Sequence, residues 1–297
     1  MMKIDPNNII IKDLHSYLLS IIGPRPIALA STINQSGLSN VSPFSFFNIF
    51  SANPPIAIFS PARRVRNNTE KDTLNNIENT KEVVINIVNY NLVEQASIAS
   101  NEYAKEIDEF HKAGLTKIKS KKIKPYRVKE SPVQMECKVN QIIKLGEQGG
   151  AGNLIICEIL LIHISEEILD SKNRIDPNKL QLVGRMGGNW YCKGFNESLF
   201  EIQKPTKDLC IGFDKIPTHI KNSDILDNQD IIKLASINRL PEANEIEQFT
   251  HTIKLTTNNT RLELRTQLHT KAKEEIKKNN IECAWKYLLI DKIKKEI

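Results

Sequence analysis

GPRPIALASTINQSGLSNVSPFSFFN, residues 23–48, is the stretch of sequence that decides the fold of this chain. The apolar run Ile27–Thr32 comes directly after two prolines, so we predict a buried strand that begins where the prolines end. The polar residues 34–37 supply turn chemistry, and Leu38–Val41 can return as the second arm of a hairpin. The sequence therefore predicts a pair of strands at this point.

The segment Ser42–Asn48 alternates hydroxyl and amide side chains with three phenylalanines and has a proline near its start. We predict a loop here, because such a segment can present backbone donors, small hydroxyls and ring faces to one flat ligand. The alternative is a turn whose phenylalanines only pack in the core, which is what aromatic side chains mostly do. The segment alone leaves both interpretations open.

Composition places the chain among globular proteins. Of its 297 residues, 40% are hydrophobic and 26% are charged, a balance that excludes a disordered chain. Lysine and arginine exceed aspartate and glutamate by 41 to 35, and the charges are interspersed along the sequence. This mild excess suits attraction of phosphorylated small molecules, whereas nucleic-acid binding usually needs a concentrated basic stripe. We therefore expect no nucleic-acid partner.

The five cysteines are far apart and form no CxxC pair, so the sequence suggests neither a disulfide framework nor a zinc site. No other metal-ligand spacing is present, and we predict no metal. A reducing cytoplasm fits this cysteine usage best. The segment Met1–Ile11 does not form a signal peptide, and the longest apolar stretch, Leu154–Ile164, is too short to cross a bilayer. We expect no membrane association.

A basic loop with three arginines, residues 63–66, lies just before a predicted helix start at residues 69–73. Helix N-termini carry free backbone N–H groups and partial positive charge, so a phosphate is favoured there. Lys71 and the Thr73 hydroxyl would complete a phosphate cradle. The alternative for Thr73 and its neighbour Asp72 is ordinary N-capping of the helix.

Periodicity along the rest of the chain predicts strands mostly in the amino-terminal part and helices in the carboxy-terminal part. The predicted strands are Ile56–Phe59, Glu82–Val88, Val133–Leu145 and Leu154–Ile164, and the predicted helices are Ile9–Ile22, Leu92–Ser100, Glu106–Ala113, Asp230–Ala235 and Arg265–Tyr287. The glycine cluster Gly146–Gly152 does not indicate a dinucleotide fold, because a strand follows it where a helix would be required. From Phe195 onward no strand pattern is convincing.

Four ordered motifs resemble the flavin reductase-like family: RPIALAST at 25–32, NVSPFSFFN at 40–48, NPPIAIFSP at 53–61 and EKDTLNNI at 70–77. The resemblance extends from about Ile9 to Gly194, and members of the family fold as FMN-binding split barrels. It therefore implies a mainly β protein with flanking helices. An FMN-binding split β-barrel at residues 1–194 would be followed by a mostly helical carboxy-terminal extension of unknown role at residues 195–297.

The resemblance also implies a cofactor site, carried over position by position. Residues of the first strand and of the aromatic segment would line the flavin ring and ribityl chain: Thr32, Ser42, Phe44, Ser45, Phe46, Phe47 and Asn48. Residues near the basic loop would lie toward the ribityl and phosphate end: Ser60, Arg64, Lys71, Asp72 and Thr73. Arg185 would reach the cofactor, or else be a surface salt-bridge arginine. Phe110 and His111 lie on a segment near the mouth of the flavin pocket in the family and are predicted to contact substrate.

The reaction implied by the resemblance would be carried by the flavin. The sequence has no Ser/His/Asp set, Cys/His pair or Walker loop, and a bound flavin needs none, because its ring accepts the hydride. We assign no catalytic side chain and predict a homodimeric oxidoreductase that transfers a hydride from NADH or NADPH to FMN and passes electrons to an acceptor, for which a protein is one option. The alternatives are a flavoredoxin-like electron carrier reduced by another protein, and a non-catalytic FMN-binding dimeric module.

Overall fold

The computed structural model of the chain describes residues 1–202, 209–253 and 260–293. It divides into two compact units, Met1–Phe200 and Glu201–Ile297, which are described separately. The first unit is a β structure with flanking helices, and the described residues of the second form helices. The predicted fold class, mainly β with a helical carboxy-terminal region, is therefore confirmed.

Antiparallel strands build the first unit. In chain order they are β1 (Ala28–Ile33), β2 (Ser39–Phe44), β3 (Phe47–Ala52), β4 (Pro55–Phe59), β5 (Glu82–Ile87), β6 (Lys117–Ile118), β7 (Arg127–Val128), β8 (Val133–Lys144), β9 (Asn153–Ile164), β10 (Leu182–Arg185) and β11 (Tyr191–Gly194). Seven of them form one sheet in the order β2-β1-β5-β8-β9-β4-β3. The pairs β6-β7 and β10-β11 form two small separate sheets.

The two edge strands of the large sheet, β2 and β3, follow each other directly in the sequence. Only Ser45 and Phe46 separate them, so the sheet must curl until its edges approach each other, which gives a barrel. The Ser60 N–H donates a hydrogen bond of 2.8 Å to the Phe46 carbonyl and fastens this corner. The barrel therefore follows from a two-residue connection between distant edges of one sheet.

The predicted loop at Ser42–Asn48 is wrong. Its first residues, through Phe44, belong to β2, and its last, from Phe47 onward, belong to β3. Phe44 is 6% exposed and its ring centroid lies 5.4 Å from that of Phe59, while Phe47 packs against the same core. For Phe44 and Phe47 the alternative interpretation, packing in the core, is the one that the structure shows.

The predicted hairpin of β1 and β2 is confirmed. Its turn is fixed by Asn34, whose side-chain oxygen accepts hydrogen bonds from the N–H groups of Ser36 and Leu38 at 3.0 and 2.9 Å. Gly37 takes a φ of 90°, a conformation that glycine adopts without a steric penalty. The turn residues thus set the register that brings β2 against β1.

Helices flank the barrel: α1 (Ile11–Ile21), α2 (Asp72–Thr80), α3 (Val93–Ile98), α4 (Glu109–Lys112) and α5 (Pro177–Leu180). Leu74 and Ile77 of α2 are fully buried and join the barrel core around Phe59. A second cluster connects β1 with α3 through Leu29 and Ala96. Helix α1 differs from the others, because none of its residues is buried.

The second unit contains the helices α6 (Thr218–Lys221), α7 (Asn228–Leu234), α8 (Ala243–Thr252), α9 (Arg261–Lys277) and α10 (Ile281–Ile293). Its core includes Trp285, which is fully buried and donates its indole N–H to the Leu234 carbonyl at 2.9 Å. The predicted single helix Arg265–Tyr287 is wrong, because the chain breaks it into α9 and α10. Between them Asn279 takes a left-handed φ of 60°, which asparagine adopts more readily than most residues. Within the described ranges, we find no helix of the length and apolarity that a membrane span requires.

Candidate functional site

Two neighbouring cavities lie beside β2 and α3. The first, the basic cavity, has walls that include Asn40, Ser42, Arg64, Lys71, Thr73 and Glu109. The second, the hairpin cavity, has walls that include Ile27, Pro43, Ser45, Ala96, Arg185 and Tyr191. Both cavities have walls on β2 and at the end of α3, where Ala99 lines the basic cavity and Ser100 the hairpin cavity, and the two together are called the groove.

Lys71 is the cation at the basic end of the groove. It occupies the N-cap of α2 and is half-buried, and its ammonium forms no hydrogen bond or ion pair with the residues that the structure describes. Burial, and then the nearby Arg64, lower the pKa of Lys71, while Asp72 acts in the opposite direction. Partial burial of an unpaired cation is unfavourable, and the first N–H groups of a helix also have no intrahelical acceptor. This position is therefore suited to an anionic group of a ligand.

The three arginines before α2, which form the arginine loop, do not leave their charges free. Arg63 pairs with Glu70 at 2.5 Å. Arg64 lies 3.0 Å from a carboxylate oxygen of Glu102, and Arg66 pairs with the same carboxylate. The basic cavity, of which Glu102 is a wall, has a volume of about 20 Å³, room for about one water molecule. Entry of a phosphate would therefore require walls of this cavity to move apart.

Thr73 is buried, and its hydroxyl donates a hydrogen bond of 2.8 Å to Oδ1 of Asn40. The same oxygen accepts from the Thr32 hydroxyl at 3.3 Å, and the Asn40 amide nitrogen donates to Glu109 at 2.9 Å. The Thr73 proton is thus already used within the fold, so the predicted cradle loses this donor. N-capping by Thr73 is not found either, since Lys71 is the N-cap residue and no side-chain cap bond is made.

Glu109 is the acid of the basic cavity and is 8% exposed. Burial raises the pKa of its carboxyl, against hydrogen bonds from the Val41 N–H and the Asn40 amide that lower it. A raised pKa makes the neutral acid easier to form.

The hairpin cavity has a volume of about 180 Å³ and is bounded by the β10–β11 hairpin. On this hairpin the Arg185 guanidinium lies over the Tyr191 ring, 4.6 Å from its centroid. Among the described residues no carboxylate pairs with Arg185, so its salt-bridge alternative is not found there. Stacked guanidinium and phenol groups present a flat surface on which an aromatic ring can pack.

Two predicted hydroxyl ligands are engaged within the fold instead. The Thr32 hydroxyl is fully buried and accepts a hydrogen bond from the Asn76 amide at 3.0 Å. The Ser60 hydroxyl accepts from the Asn153 N–H at 3.1 Å and joins β4 to β9. Neither residue lines the groove. Their observed role is to fix the strands beside it.

The predicted aromatic contacts are also redistributed. Phe44 and Phe110 are 6% and 1% exposed and lie in the two cores of the first unit, so we reassign both rings to packing. Phe46 is 40% exposed at the corner between β2 and β3, where its ring meets that of His15 edge-on at 6.3 Å. Asn48 and His111 are exposed and line neither cavity.

Six residues that line the basic cavity were not predicted, among them the polar residues Asn40, Glu102 and Glu109. Asn40 and Glu109 are 69 positions apart in the sequence and are joined by a hydrogen bond. Glu102, which pairs with Arg64, comes after β5 and α3 in the chain. The one available signal was Asn40, a polar residue in an otherwise mostly buried strand. Pairings over such separations leave no local pattern in the sequence.

The groove as a whole combines an unpaired cation, two serine hydroxyls of the β2 corner and an arginine–tyrosine surface. This set of groups fits a ligand that has an anionic tail and a flat ring, and FMN is such a ligand. Within the described ranges, no group of histidine, cysteine or acidic side chains is placed to hold a metal ion.

The model of the flavin reductase like domain matches residues 23–178. An uncharacterised protein of Aquifex aeolicus is 38% identical over 189 residues, which is 64% of this chain and 94% of that protein. Nitrilotriacetate monooxygenase component B from Bacillus cereus has a similar structure, with a TM-score of 0.63 and 32% identity over 68% of this chain and 98% of that one. A protein with a split barrel domain from Shewanella frigidimarina, assigned to the flavin reductases, gives a TM-score of 0.58 and 25% identity over 69% of this chain and 100% of that one.

The matched residues make up more than half of the chain and contain all of the large sheet. The barrel whose edge strands are joined by two residues is accordingly the split barrel of these structural neighbours. This chain belongs to the flavin reductase-like domain family.

Proposed function

We propose that this chain is an FMN-binding oxidoreductase that transfers a hydride from NADH or NADPH to FMN. The observation that carries the proposal is Lys71, a half-buried cation without an anionic partner among the described residues, at the basic end of the groove. The other end of the groove has the stacked Arg185 and Tyr191 side chains. FMN has a phosphate that can pair with Lys71 and a flat ring that can pack on Arg185 and Tyr191. Membership of the family supports a flavin as the ligand.

The side chains of the groove would bind and orient this ligand. Lys71 and the first N–H groups of α2 would hold the phosphate. Ser42 and Ser45 would hydrogen-bond along the ribityl chain and the ring edge, and Arg185 with Tyr191 would pack on the ring. When bound, FMN supplies a ring that accepts a hydride. The hydride carries the hydrogen and both electrons together, so the proposal needs no acid or base from the protein.

We propose that the reduced flavin, or its electrons, pass to a second protein. Similarity to a named component of a monooxygenase supports this proposal. A flavoredoxin-like carrier, reduced by another protein, is the alternative if the chain binds FMN but does not oxidise a nicotinamide. A non-catalytic module, in which the second unit is the working part, would be supported by slow flavin reduction combined with a stable partner complex.

We also propose a homodimer. No residue of α1 is buried, and its Leu18 and Ile21 are 49% and 69% exposed. Phe50 of the edge strand β3 is 65% exposed. Exposed apolar surface of this kind marks interfaces in water-soluble proteins. Sedimentation should give a dimer for the native chain and a monomer for Ile21→Lys, and a native monomer would contradict the proposal.

We propose a cytoplasmic location, which the five cysteines support, because each of them is a free thiol in the structure. A reducing compartment keeps such thiols unpaired. Oxidation of the purified protein in air, followed by counting of the remaining thiols, would show whether the chain tolerates an oxidising compartment, which is the alternative.

The experiment that tests the function combines a spectrum with an assay. We expect a yellow protein that releases FMN on denaturation, and rapid oxidation of NADH or NADPH when free FMN is added. No uptake of FMN in a titration would overturn the proposal. Uptake of FMN without oxidation of either nicotinamide would leave the electron carrier as the function.

A further inference from the structure

Arg25 is a buried arginine at the entry to β1, only 5% exposed. Its guanidinium donates hydrogen bonds to the carbonyl oxygens of Leu19, Ile22 and Met186, the last two at 2.5 and 2.9 Å, and from Nε to the Ser45 hydroxyl at 3.3 Å. These groups join the end of α1, the β2–β3 corner and the turn of the β10–β11 hairpin. All four partners are electrically neutral.

The charge of Arg25 therefore has no counter-ion within the described part of the first unit. The other arginines of this unit have a carboxylate within ion-pair distance, but Arg25 and Arg185 do not. The backbones of these two residues are paired by hydrogen bonds of 3.0 and 2.8 Å. Burial, and then the proximity of Arg185, lower the pKa of Arg25. Two uncompensated cations in neighbouring positions give this region a positive potential.

This positive region borders the hairpin cavity. Ser45 and Arg185 both line the cavity, and Arg25 lies one hydrogen bond behind Ser45. A charge that is buried in protein is screened much less than a charge on the surface. The potential of Arg25 therefore reaches the end of the groove where the flavin ring is proposed to bind.

We propose that Arg25, together with Arg185, is a positioning residue whose fixed positive charge favours reduced, anionic FMN over oxidised FMN. The inference rests on the proposed function. In that reaction a C–H bond of the dihydronicotinamide breaks and an N–H bond forms at N5 of the flavin. NADH or NADPH becomes NAD⁺ or NADP⁺, and the flavin gains two electrons and one negative charge, with no further proton or reactant. A fixed cation near the ring stabilises the side of the reaction on which this charge has developed.

Two variants separate the charge of Arg25 from its hydrogen bonds. Arg25→Gln removes the charge and Arg25→Lys keeps it, while both lose part of the hydrogen-bond set of the guanidinium. For each variant we would measure the dissociation constant of oxidised FMN and the two-electron midpoint potential of bound FMN. Arg25→Gln should weaken the binding of reduced FMN about tenfold more than that of oxidised FMN, a midpoint lower by about 30 mV.

The Arg25→Lys protein should keep the native potential, even if it binds oxidised FMN more weakly. A purely structural role would lower the affinity for oxidised FMN in both variants and leave the potential unchanged. An unchanged potential in Arg25→Gln, or equal shifts in the two variants, would overturn the inference.

The native protein decides the question if Arg25→Gln does not fold. Forming anionic reduced FMN consumes one proton for two electrons, so its potential changes by about 30 mV per pH unit, and neutral reduced FMN gives about twice that slope. We expect the shallow slope to persist below the pH at which free reduced FMN becomes neutral. A slope that changes at the same pH as in free FMN would overturn this inference alone. Failure to bind FMN would overturn the proposed function and the inference with it.

Discussion

The arginine loop and the start of α2 are neighbours in the sequence and both are basic, yet they differ in whether their charges have partners. In the loop, Arg64 and Arg66 share the carboxylate of Glu102. Lys71 is half-buried and has no such partner among the described residues. A paired cation gains little from a phosphate, because it must first give up its carboxylate. A run of positive residues therefore cannot be assigned as a phosphate site until the acidic side chains that pair with it are known.

Replacing Lys71 is the strongest way to break this comparison. A charge-assisted hydrogen bond contributes about 1.5–3 kcal/mol, so Lys71→Met should weaken FMN binding by about tenfold or more. Arg66→Met removes an exposed and paired cation of the loop, and it should weaken binding by less than about fivefold. Quenching of flavin fluorescence gives both dissociation constants. Equal losses in the two variants would show that pairing does not matter.

Thr73 sharpens the comparison, because its hydroxyl lies beside Lys71 but is already bonded to Asn40. Thr73→Val leaves the Asn40 oxygen with fewer donors and should lower the free energy of unfolding by about 1–3 kcal/mol. The exposed Thr116, whose hydroxyl makes no hydrogen bond with the described residues, provides the control, and Thr116→Val should change the stability by about 0.5 kcal/mol or less. Urea unfolding measures both. If Thr73→Val lost as much FMN affinity as Lys71→Met, the hydroxyl would have to contact the phosphate.

Removing the Glu102 carboxylate, which pairs with the arginine loop, should change the affinity for FMN by a smaller factor and in the opposite direction. Glu102→Gln removes the negative charge that pairs with Arg64 and Arg66, so FMN should bind more tightly, by up to about fivefold, the equivalent of a surface ion pair of at most about 1 kcal/mol. Glu94→Gln, an exposed change on α3, should leave the affinity unchanged. Weaker binding by Glu102→Gln would mean that Glu102 holds the loop in the competent position.

Two buried carboxylates, Glu136 and Glu109, are expected to change the stability of the protein with pH in opposite directions. Although burial acts to raise it, hydrogen bonds from Lys121, Lys122 and His163 lower the pKa of Glu136, whereas burial raises the pKa of Glu109. A lowered pKa contributes stability that is present above the unfolded-state value of about 4.3 and is lost as the pH falls through the folded-state value. A raised pKa has the opposite sign, so its group makes the protein more stable as the pH falls.

Unfolding in urea at a series of acidic pH values tests this smallest effect. Glu136→Gln should flatten the loss of stability toward low pH, and Glu109→Gln should steepen it. Parallel curves for the two variants would show that the hydrogen bonds to Glu136 do not outweigh its burial.

Much of the barrel could be predicted from local signals. The apolar run of β1, the turn residues around Asn34 and the β-branched residues of β5 each specify their own conformation, and the structure contains all three elements. The aromatic segment was predicted as a loop, and its division between β2 and β3 was missed, because each strand takes only two or three of its residues. The division is set by the connection between β2 and β3, which joins two edges of one sheet.

The candidate site was predictable only in part. Lys71 and Ser42 could be assigned from motifs and do line the basic cavity, whereas Asn40 and Glu109 could not, because their hydrogen bond joins β2 to α4. Arg25 was visible within a motif, but nothing in its neighbours indicated a buried guanidinium with only neutral partners.

The sequence by itself determined where most strands of the large sheet and the start of α2 lie, because periodicity, turn residues and helix starts act over a few residues. Only the tertiary structure decided which charges have partners. The energy of an ion depends on its distance from other charges and on its removal from water, and the fold sets both by bringing together residues as far apart in sequence as Arg64 and Glu102. For this reason a basic sequence became an arginine loop with its charges paired and a lysine that has no anionic partner in the described part of the chain.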